Sequence, residues 1–300
     1  VMVKKRKFCQ LKIIISKRQN QIICVDNLST GYVSNLPSDD NIKLIIKSIQ
    51  DLELDELPNN LDGIFHLGAQ ASVPQSIDDF FNSSKNNLLS MLKVWDIANK
   101  LNIPIVYASS SAVYGNLAIG DDSIDNFDIL SPYAQDKLTM EHYADMAWKI
   151  YNTRSIGLRF FNVFGPRQDP SNPYSGVISV FVDRLKNNLP VTVNGGYQTR
   201  DFIYVLDIVT CLKKSMTILQ EKSLCETLNV GTGKSISIDS LLKHLSTIIN
   251  IKPEVVKAKL PIGDPEQSSG TYIKLNEFLD ININDFTDLK EGLNQTINLI

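Results

Sequence analysis

The sequence predicts an α/β fold built on a parallel β-sheet that helices cover on both faces. In the first half, short apolar runs alternate with longer segments of helical periodicity, the order that β-α units produce. The second half has shorter elements and more turn-forming residues. A length of 300 residues with 43% hydrophobic residues supplies the core of one large domain or two smaller ones.

The elements can be placed in order along the chain. Short apolar runs are typical of buried strands, and they lie at residues 22–25, 43–46, 63–67, 103–108 and 155–159. Helical patterns cover about residues 78–100, 133–150 and 237–249, and another helix is expected near the C-terminus. Ser131 is a suitable N-cap and Pro132 a suitable first helical residue, so the second of these helices should begin there.

Composition limits the classes of function. No apolar run approaches the roughly 20 residues that span a bilayer and no signal peptide is recognisable, so we expect a cytoplasmic protein with no membrane partner. The four cysteines and three histidines are scattered, which favours reduced thiols and no metal site. Residues 1–20 carry seven of the 30 basic residues and none of the 33 acidic ones. Stacking aromatics are not interleaved there, so a solvated or abnormal terminus is favoured over a nucleic-acid site.

Two segments carry the residues of a hydride-transfer centre. Tyr133 and Lys137 are four residues apart and share one face of the helix expected there. A free tyrosine has a pKa of about 10, but a neighbouring ammonium stabilises its phenolate. Ser110, at the end of an apolar strand, can hydrogen-bond the substrate oxygen that Tyr133 deprotonates. Such Tyr-Lys pairs also occur by chance, but the run Ser109, Ser110, Ser111 and the Ser-Pro cap favour catalysis.

Further segments follow in a recognisable order. They are ICVDNLSTG at 23–31, FHLGAQASVP at 65–74, LRFFNVFGPR at 158–167, QTRDF at 198–202 and NVGTG at 229–233. With the serine run and the Tyr-Lys helix, they make the chain from about residue 21 onward resemble the extended short-chain dehydrogenases. Within that family it is most similar to the UDP-sugar epimerases, especially those that act on UDP-N-acetylglucosamine.

The resemblance implies a Rossmann-like doubly wound parallel sheet with a smaller C-terminal α/β substrate lobe. It assigns residues 1–163 and about 198–231 to an NAD-binding domain that lacks its first strand. Residues 164–197 and 232–300 become the sugar-nucleotide lobe. It further implies a homodimer, a UDP-sugar substrate and a role in nucleotide-sugar supply for polysaccharide biosynthesis.

The resemblance also implies an NAD site. Asp26, at a strand end, should bind the adenosine ribose, and an acidic residue there favours NAD over NADP. The full set of implied cofactor contacts is Asp26, Asn27, Ile49, Leu67, Gly68, Ala69, Asn87, Ala108, Tyr133, Lys137 and Phe160. Asn87 should also order the active-site loop. For the apolar members, a plain core role is equally consistent.

One expected part of the NAD site is missing from the sequence. A glycine-rich phosphate loop should precede Asp26 by about 20 residues, but no glycine precedes Gly31. The family's spacing puts the loop at residues 2–8, which read MVKKRKF, and the first strand before residue 1. We therefore expect a frame-shifted or truncated gene and poor NAD binding. A phosphate loop that uses Lys4 and Lys5 is the alternative.

The implied reaction inverts C4 of a UDP-hexose or UDP-N-acetylhexosamine. Tyr133 takes the C4 hydroxyl proton, Ser110 positions O4, and Lys137 binds the nicotinamide ribose. The related dehydratases carry an Asp-Glu pair where this chain has Ser111 and Ala112, so water elimination is not expected. An inactive remnant and a UDP-uronate epimerase or decarboxylase are the alternatives.

The implied substrate contacts are Ser110, Asn162, Val177, Arg200, Asp264 and Ser268. Arg200 matches a diphosphate ligand, although with Asp201 it could instead form a surface ion pair. A second diphosphate arginine, expected two residues before Gly263, is absent. The small Ser268 stands where a tyrosine would crowd the sugar C2 substituent, so we expect the pocket to accept an N-acetyl group.

Overall fold

The computed structural model describes residues 21–172 and 175–299, so the basic segment and the expected phosphate-loop position lie outside the described residues. The strands are β1 Ile22–Asp26, β2 Ile42–Ile46, β3 Ile64–His66, β4 Ile105–Ser110, β5 Ser155–Phe160, β6 Asn162–Phe164, β7 Val191–Asn194, β8 Thr199–Tyr204, β9 Cys225–Val230, β10 Ser235–Ser237 and β11 Val255–Ala258. The α-helices are α1 Val73–Asp78, α2 Phe80–Leu101, α3 Pro132–Tyr151, α4 Val177–Lys186, α5 Val205–Glu221, α6 Ile238–Ile249, α7 Ile273–Leu279 and α8 Leu289–Ile297.

The chain divides into two compact units. The first comprises the described residues up to Ser110, with Ser131–Arg159 and Val209–Leu228. The second comprises Ser111–Leu130, Phe160–Ile208 and the residues from Asn229 onward. The domain boundaries implied by the resemblance stay a prediction.

The first unit is organised around parallel strands. One sheet has the order β3-β4-β5-β9, and β1 pairs with β2 in a second sheet. Both β1 with β2 and β3 with β4 run parallel, with Ile22 opposite Ile42 and Ile64 opposite Ile105. Every residue of β4 and β5 is buried, as expected for strands covered on both faces. The predicted α/β class with a parallel sheet is confirmed.

The core of the first unit forms where helix α2 covers these strands. The Trp95 ring lies edge-on to the Tyr107 ring at 5.2 Å between centroids, and to the His66 ring at 6.5 Å. All three side chains are buried. His66, predicted to be a structural residue at a strand end, is the last residue of β3 and packs in this aromatic group.

The predicted helix at about 78–100 is present as α2, and a short helix that was not predicted, α1, precedes it. Asp79 has φ −131° and ψ 67°, outside the helical region, and it lies between α1 and α2. Its side chain accepts a hydrogen bond from the backbone N–H of Asn82 and thereby caps α2. The apolar pattern alone did not reveal α1, because its six residues are too few to show a helical period.

The second unit contains two smaller sheets. In the first, β8 lies between β10 and β6, antiparallel to β10 and parallel to β6. In the other, β7 and β11 pair in parallel, with Val191 opposite Val255. The predicted helix at about 237–249 is present as α6, and α8 is the helix expected near the C-terminus.

Candidate active site

The first two turns of α3 carry Tyr133 and Lys137. The Ser131 side chain accepts a hydrogen bond from the backbone N–H of Ala134 at 3.2 Å, and Pro132 is the first helical residue. The predicted start of this helix is therefore confirmed. The backbone N–H of Tyr133 lies in the first turn, where N–H groups precede the hydrogen-bond ladder of the helix. It donates to Ser76 Oγ at 3.2 Å, and this hydrogen bond links the start of the helix to α1.

Lys137 is buried next to the tyrosine ring. Its Nζ donates a hydrogen bond of 2.5 Å to the carbonyl oxygen of Ala108 in β4, and it lies 5.7 Å from the centroid of the Tyr133 ring. Burial lowers the pKa of Lys137 to about 8, and the carboxylates of Asp136 and Glu141 oppose that shift. The ammonium form therefore persists at neutral pH and places a positive charge beside the Tyr133 ring.

Ser110 belongs to the same unit as the Tyr-Lys pair. It ends β4, two residues after the carbonyl that Lys137 binds, and its residue surface is 9% exposed, like that of Tyr133. The structure therefore places all three predicted catalytic residues in the first unit, on β4 and on the helix anchored to it.

Asn87 joins the loop after β3 to the catalytic helix. Its Oδ1 accepts from the backbone N–H of Gln70 at 2.8 Å, and its Nδ2 donates to Gln70 O at 3.2 Å and to Asp136 Oδ2 at 2.9 Å. Burial raises the pKa of Asp136, and the hydrogen bond from Asn87 counteracts it. Gln70, in the loop that follows β3, is thereby bonded to α2, and Asn87 of α2 is bonded in turn to α3. Sequence reasoning did not identify Asp136 as a site residue, since its partner Asn87 is 49 residues away along the chain.

The described residues fit an NAD molecule at its two ribose ends. Asp26 is the last residue of β1 and is 6% exposed, and its Oδ1 accepts from the backbone N–H of Leu28 at 2.7 Å. A carboxylate at this strand end suits ribose hydroxyls, and Lys137 supplies donors for the other ribose. Asn27 donates from Nδ2 to Ser48 Oγ at 3.1 Å.

The apolar members of the predicted NAD set are placed in different ways. Ile49 is a member of the apolar core of the first unit. Leu67, Ala108 and Phe160 are buried, and Ala69 is half-buried. Phe160 is assigned to the second unit and the others to the first.

Apart from Ser110, the predicted substrate ligands lie in the second unit. Asn162 is the first residue of β6, and Val177 is the first residue of α4. The half-buried Ser268 accepts a hydrogen bond from Ser235 Oγ at its carbonyl oxygen, at 2.6 Å.

Arg200 is buried rather than on the surface, so the alternative of a surface ion pair with Asp201 is wrong. It forms an ion pair with Asp264 and donates from its other terminal nitrogen to Thr199 O at 2.7 Å. Asp201 is fully buried, and its carboxylate accepts from the backbone N–H of Gly233 at 2.8 Å and from the Tyr272 hydroxyl at 2.5 Å. Arg200 and Asp264, which both belong to the predicted substrate set, are thus paired with each other.

Two features are absent from the described part of the chain. Residues 21–172 and 175–299 contain no group of three or more His, Cys, Asp or Glu side chains placed to hold a metal ion. Within the same residues, no helix combines the length and the apolar character needed to cross a membrane.

Comparison with known proteins identifies the family. Residues 13–231 match the model of the NAD dependent epimerase/dehydratase family. A relative from Methanocaldococcus jannaschii, provisionally named a UDP-glucose 4-epimerase, is 32% identical over 285 residues, which cover 92% of this chain and 89% of the relative.

Two solved structures extend the likeness to the fold. A UDP-N-acetylglucosamine 4-epimerase from Methanobrevibacter ruminantium, in complex with UDP-N-acetylmuramic acid, is 31% identical with a TM-score of 0.89, covering 97% of this chain and 93% of that one. A UDP-glucose 4-epimerase from Thermus thermophilus, in complex with NAD, is 26% identical with a TM-score of 0.85, covering 99% and 97%. The predicted Rossmann-like fold is confirmed. On the family match and these likenesses, the chain belongs to the NAD-dependent epimerase/dehydratase family.

Proposed function

We propose that this chain inverts C4 of a UDP-hexose or UDP-N-acetylhexosamine through a 4-keto sugar, with NAD as its cofactor. The observation that carries the proposal is the buried ammonium of Lys137, 5.7 Å from the Tyr133 ring and bonded to the strand that ends in Ser110. The relatives above, named for UDP-sugar 4-epimerases, support the substrate class.

The cofactor contributes the redox half of the reaction. NAD, when bound, supplies a hydride acceptor and afterwards returns the same hydride, so no external redox partner is needed. Asp26 would hold the adenosine ribose through its carboxylate, and Lys137 would donate hydrogen bonds to the nicotinamide ribose.

The chain's own residues move the proton. The Tyr133 phenolate would take the proton of the C4 hydroxyl as C4 is oxidised, so that the C4–O4 bond becomes a carbonyl. After the ketone has turned over and C4 is reduced on its other face, Tyr133 would return the proton to O4. Ser110 donates a hydrogen bond to O4 throughout, and the charge of Lys137 keeps Tyr133 ionised between turnovers.

The diphosphate would be bound by Arg200. Its guanidinium is a rigid fork of donors that matches two phosphate oxygens, and the ion pair with Asp264 fixes its position. Asn162 and the backbone at Val177 would contact the uridine diphosphate, and Ser268 would leave room for an N-acetyl group.

Tyr133→Phe tests the proposal, because phenylalanine preserves the packing but has no proton to exchange. Both parent and variant are given a glycine-rich phosphate loop, because residues 1–300 alone are expected to bind NAD poorly. With NAD added, UDP-N-acetylglucosamine, UDP-glucose and UDP-glucuronic acid are offered separately, and the C4 epimers are quantified by NMR. We expect turnover to fall by at least about 100-fold. Tyr143→Phe, at an exposed tyrosine of the same helix, is the matched control. Near-parental turnover by folded Tyr133→Phe would overturn the catalytic assignment.

A second candidate is a folded remnant without activity, which is favoured by the absence of glycine before Gly31. Denaturing the purified chain and measuring released NAD separates the two candidates, since a working epimerase of this kind holds its cofactor tightly. The homodimer also stays a prediction, which light scattering on the purified chain checks.

A further inference from the structure

The first serine of the run at 109–111 is not used by the proposed chemistry. Ser109 is 2% exposed and lies next to Ser110 in β4. Its hydroxyl donates a short hydrogen bond to Oε1 of Glu141 in the catalytic helix. A buried strand residue that bonds the helix one turn after Lys137 links the two elements that carry the catalytic groups.

Glu141 is held from a third element as well. Arg159 in β5 donates from Nε to Glu141 Oε1 at 2.9 Å and from a terminal nitrogen to Oε2 at 2.6 Å. This is a two-point contact between a carboxylate that is 5% exposed and an arginine that is 4% exposed. The Glu141 carboxylate therefore joins β4, α3 and β5 at one point.

Stability alone does not account for such a group. Removing two charges from water is costly, and apolar side chains of similar volume often stabilise a core as well as a buried ion pair does. What an ion pair adds is direction, because its two parallel hydrogen bonds fix the angle and register of the helix that carries the carboxylate. Here that helix is the one that presents Tyr133 and Lys137.

We propose that Glu141 is a positioning residue, which aligns the catalytic helix with β4 through Ser109 and Arg159 and keeps the Lys137 side chain in its ammonium form. The proposal rests on the proposed function for its meaning, since it concerns the groups that the epimerase reaction uses. It assigns a role to three residues that touch neither substrate nor cofactor in that mechanism.

The charges around Lys137 give the direction of the effect. On α3, the carboxylates of Asp136 and Glu141 raise the pKa of Lys137 against the larger effect of burial. The neutral carbonyl of Ala108 in β4 accepts a hydrogen bond from Lys137, and the guanidinium of Arg159 in β5 is paired with Glu141. Replacing Glu141 by glutamine removes one carboxylate and leaves the Arg159 charge without that partner. Both changes disfavour the ammonium of Lys137.

The experiment follows the Lys137 amine directly in the full chain, without cofactor or substrate. Lysine labelled with ¹³C at Cε is titrated by NMR from about pH 5 to about pH 11, and Lys137→Met assigns the signal. We expect Glu141→Gln to lower the Lys137 midpoint by at least about half a pH unit, a roughly threefold change in the ratio of ammonium to amine. Asp145→Asn, at an exposed carboxylate one turn further along α3, should leave the midpoint unchanged.

Two further variants keep the test decisive. Glu141→Asp retains the charge and should keep the midpoint within about 0.2 pH units of the parent. Glu141→Gln with Arg159→Gln removes both members of the buried ion pair, so no Arg159 charge is left without its carboxylate. This double variant should fold even where Glu141→Gln does not, and its Lys137 midpoint should lie between those of Glu141→Gln and the parent. A folded Glu141→Gln or double variant with the parental midpoint overturns the proposal. Loss of turnover in Tyr133→Phe is a separate measurement, so failure here leaves the proposed function standing.

Discussion

Replacing the buried Lys137 by methionine should change how the stability of the first unit depends on pH. The Lys137 residue is 3% exposed, and its pKa falls from 10.5 to about 8 in the folded chain. Between these values the unfolded chain binds more protons than the folded chain, so the parent becomes more stable as the pH rises through that window. Lys137→Met has no such group and should lack this gain.

The size of the effect follows from the shift. One pKa unit corresponds to about 1.4 kcal/mol, so the buried ammonium costs the parent about 3 kcal/mol at neutral pH. The free energy of unfolding of the variant minus that of the parent should therefore be most positive near about pH 7 and smaller by about 3 kcal/mol near about pH 10.5. Burial raises the pKa values of Tyr107, Tyr272, Cys24 and Cys225, which weakens the folded state at alkaline pH in parent and variant alike. Their contribution cancels in the difference.

Urea unfolding at a series of pH values measures this difference. The two tryptophans of the chain, Trp95 and Trp148, both lie in the first unit, so their fluorescence reports its unfolding. Lys149→Met, at an exposed lysine of the same helix, controls for the loss of a positive charge. A difference between Lys137→Met and the parent that stays constant within about 1 kcal/mol over the whole range would refute the reasoning.

Three further outcomes are expected. In a chain given a glycine-rich phosphate loop, Ser268→Tyr should raise the KM for UDP-N-acetylglucosamine about tenfold more than that for UDP-glucose, and equal responses would show that the residue does not limit the pocket. Residues 1–300 alone should release no heat that indicates micromolar NAD binding, because no glycine precedes Gly31, and a micromolar Kd would reveal another phosphate loop. Gly157→Ala should lower the free energy of unfolding, measured in urea, by about 1–3 kcal/mol, since the added Cβ would lie 2.4 Å from the Tyr107 ring. Gly31→Ala, whose added Cβ would have its nearest atom at 3.8 Å, should lower it less, and equal losses would contradict the packing argument.

The sequence by itself determined the local features of the catalytic helix. Ser131 and Pro132 define its start through a side-chain cap and a fixed backbone angle, both of which act within four residues. The spacing of Tyr133 and Lys137 then follows from the helical repeat. The buried strand β4 was equally visible, because burial on both faces gives it a continuous apolar run over Ile105–Ala108.

Only the tertiary structure decided which charged groups pair. Glu141 meets Ser109 and Arg159 across 32 and 18 residues of sequence, at a point set by the order of β4 and β5 around the helix. Arg200 pairs with Asp264, 64 residues away, and not with its neighbour Asp201, because successive side chains of a strand point to opposite faces of the sheet. Local periodicity determines where a side chain lies on its own element, whereas its partner depends on how the elements pack.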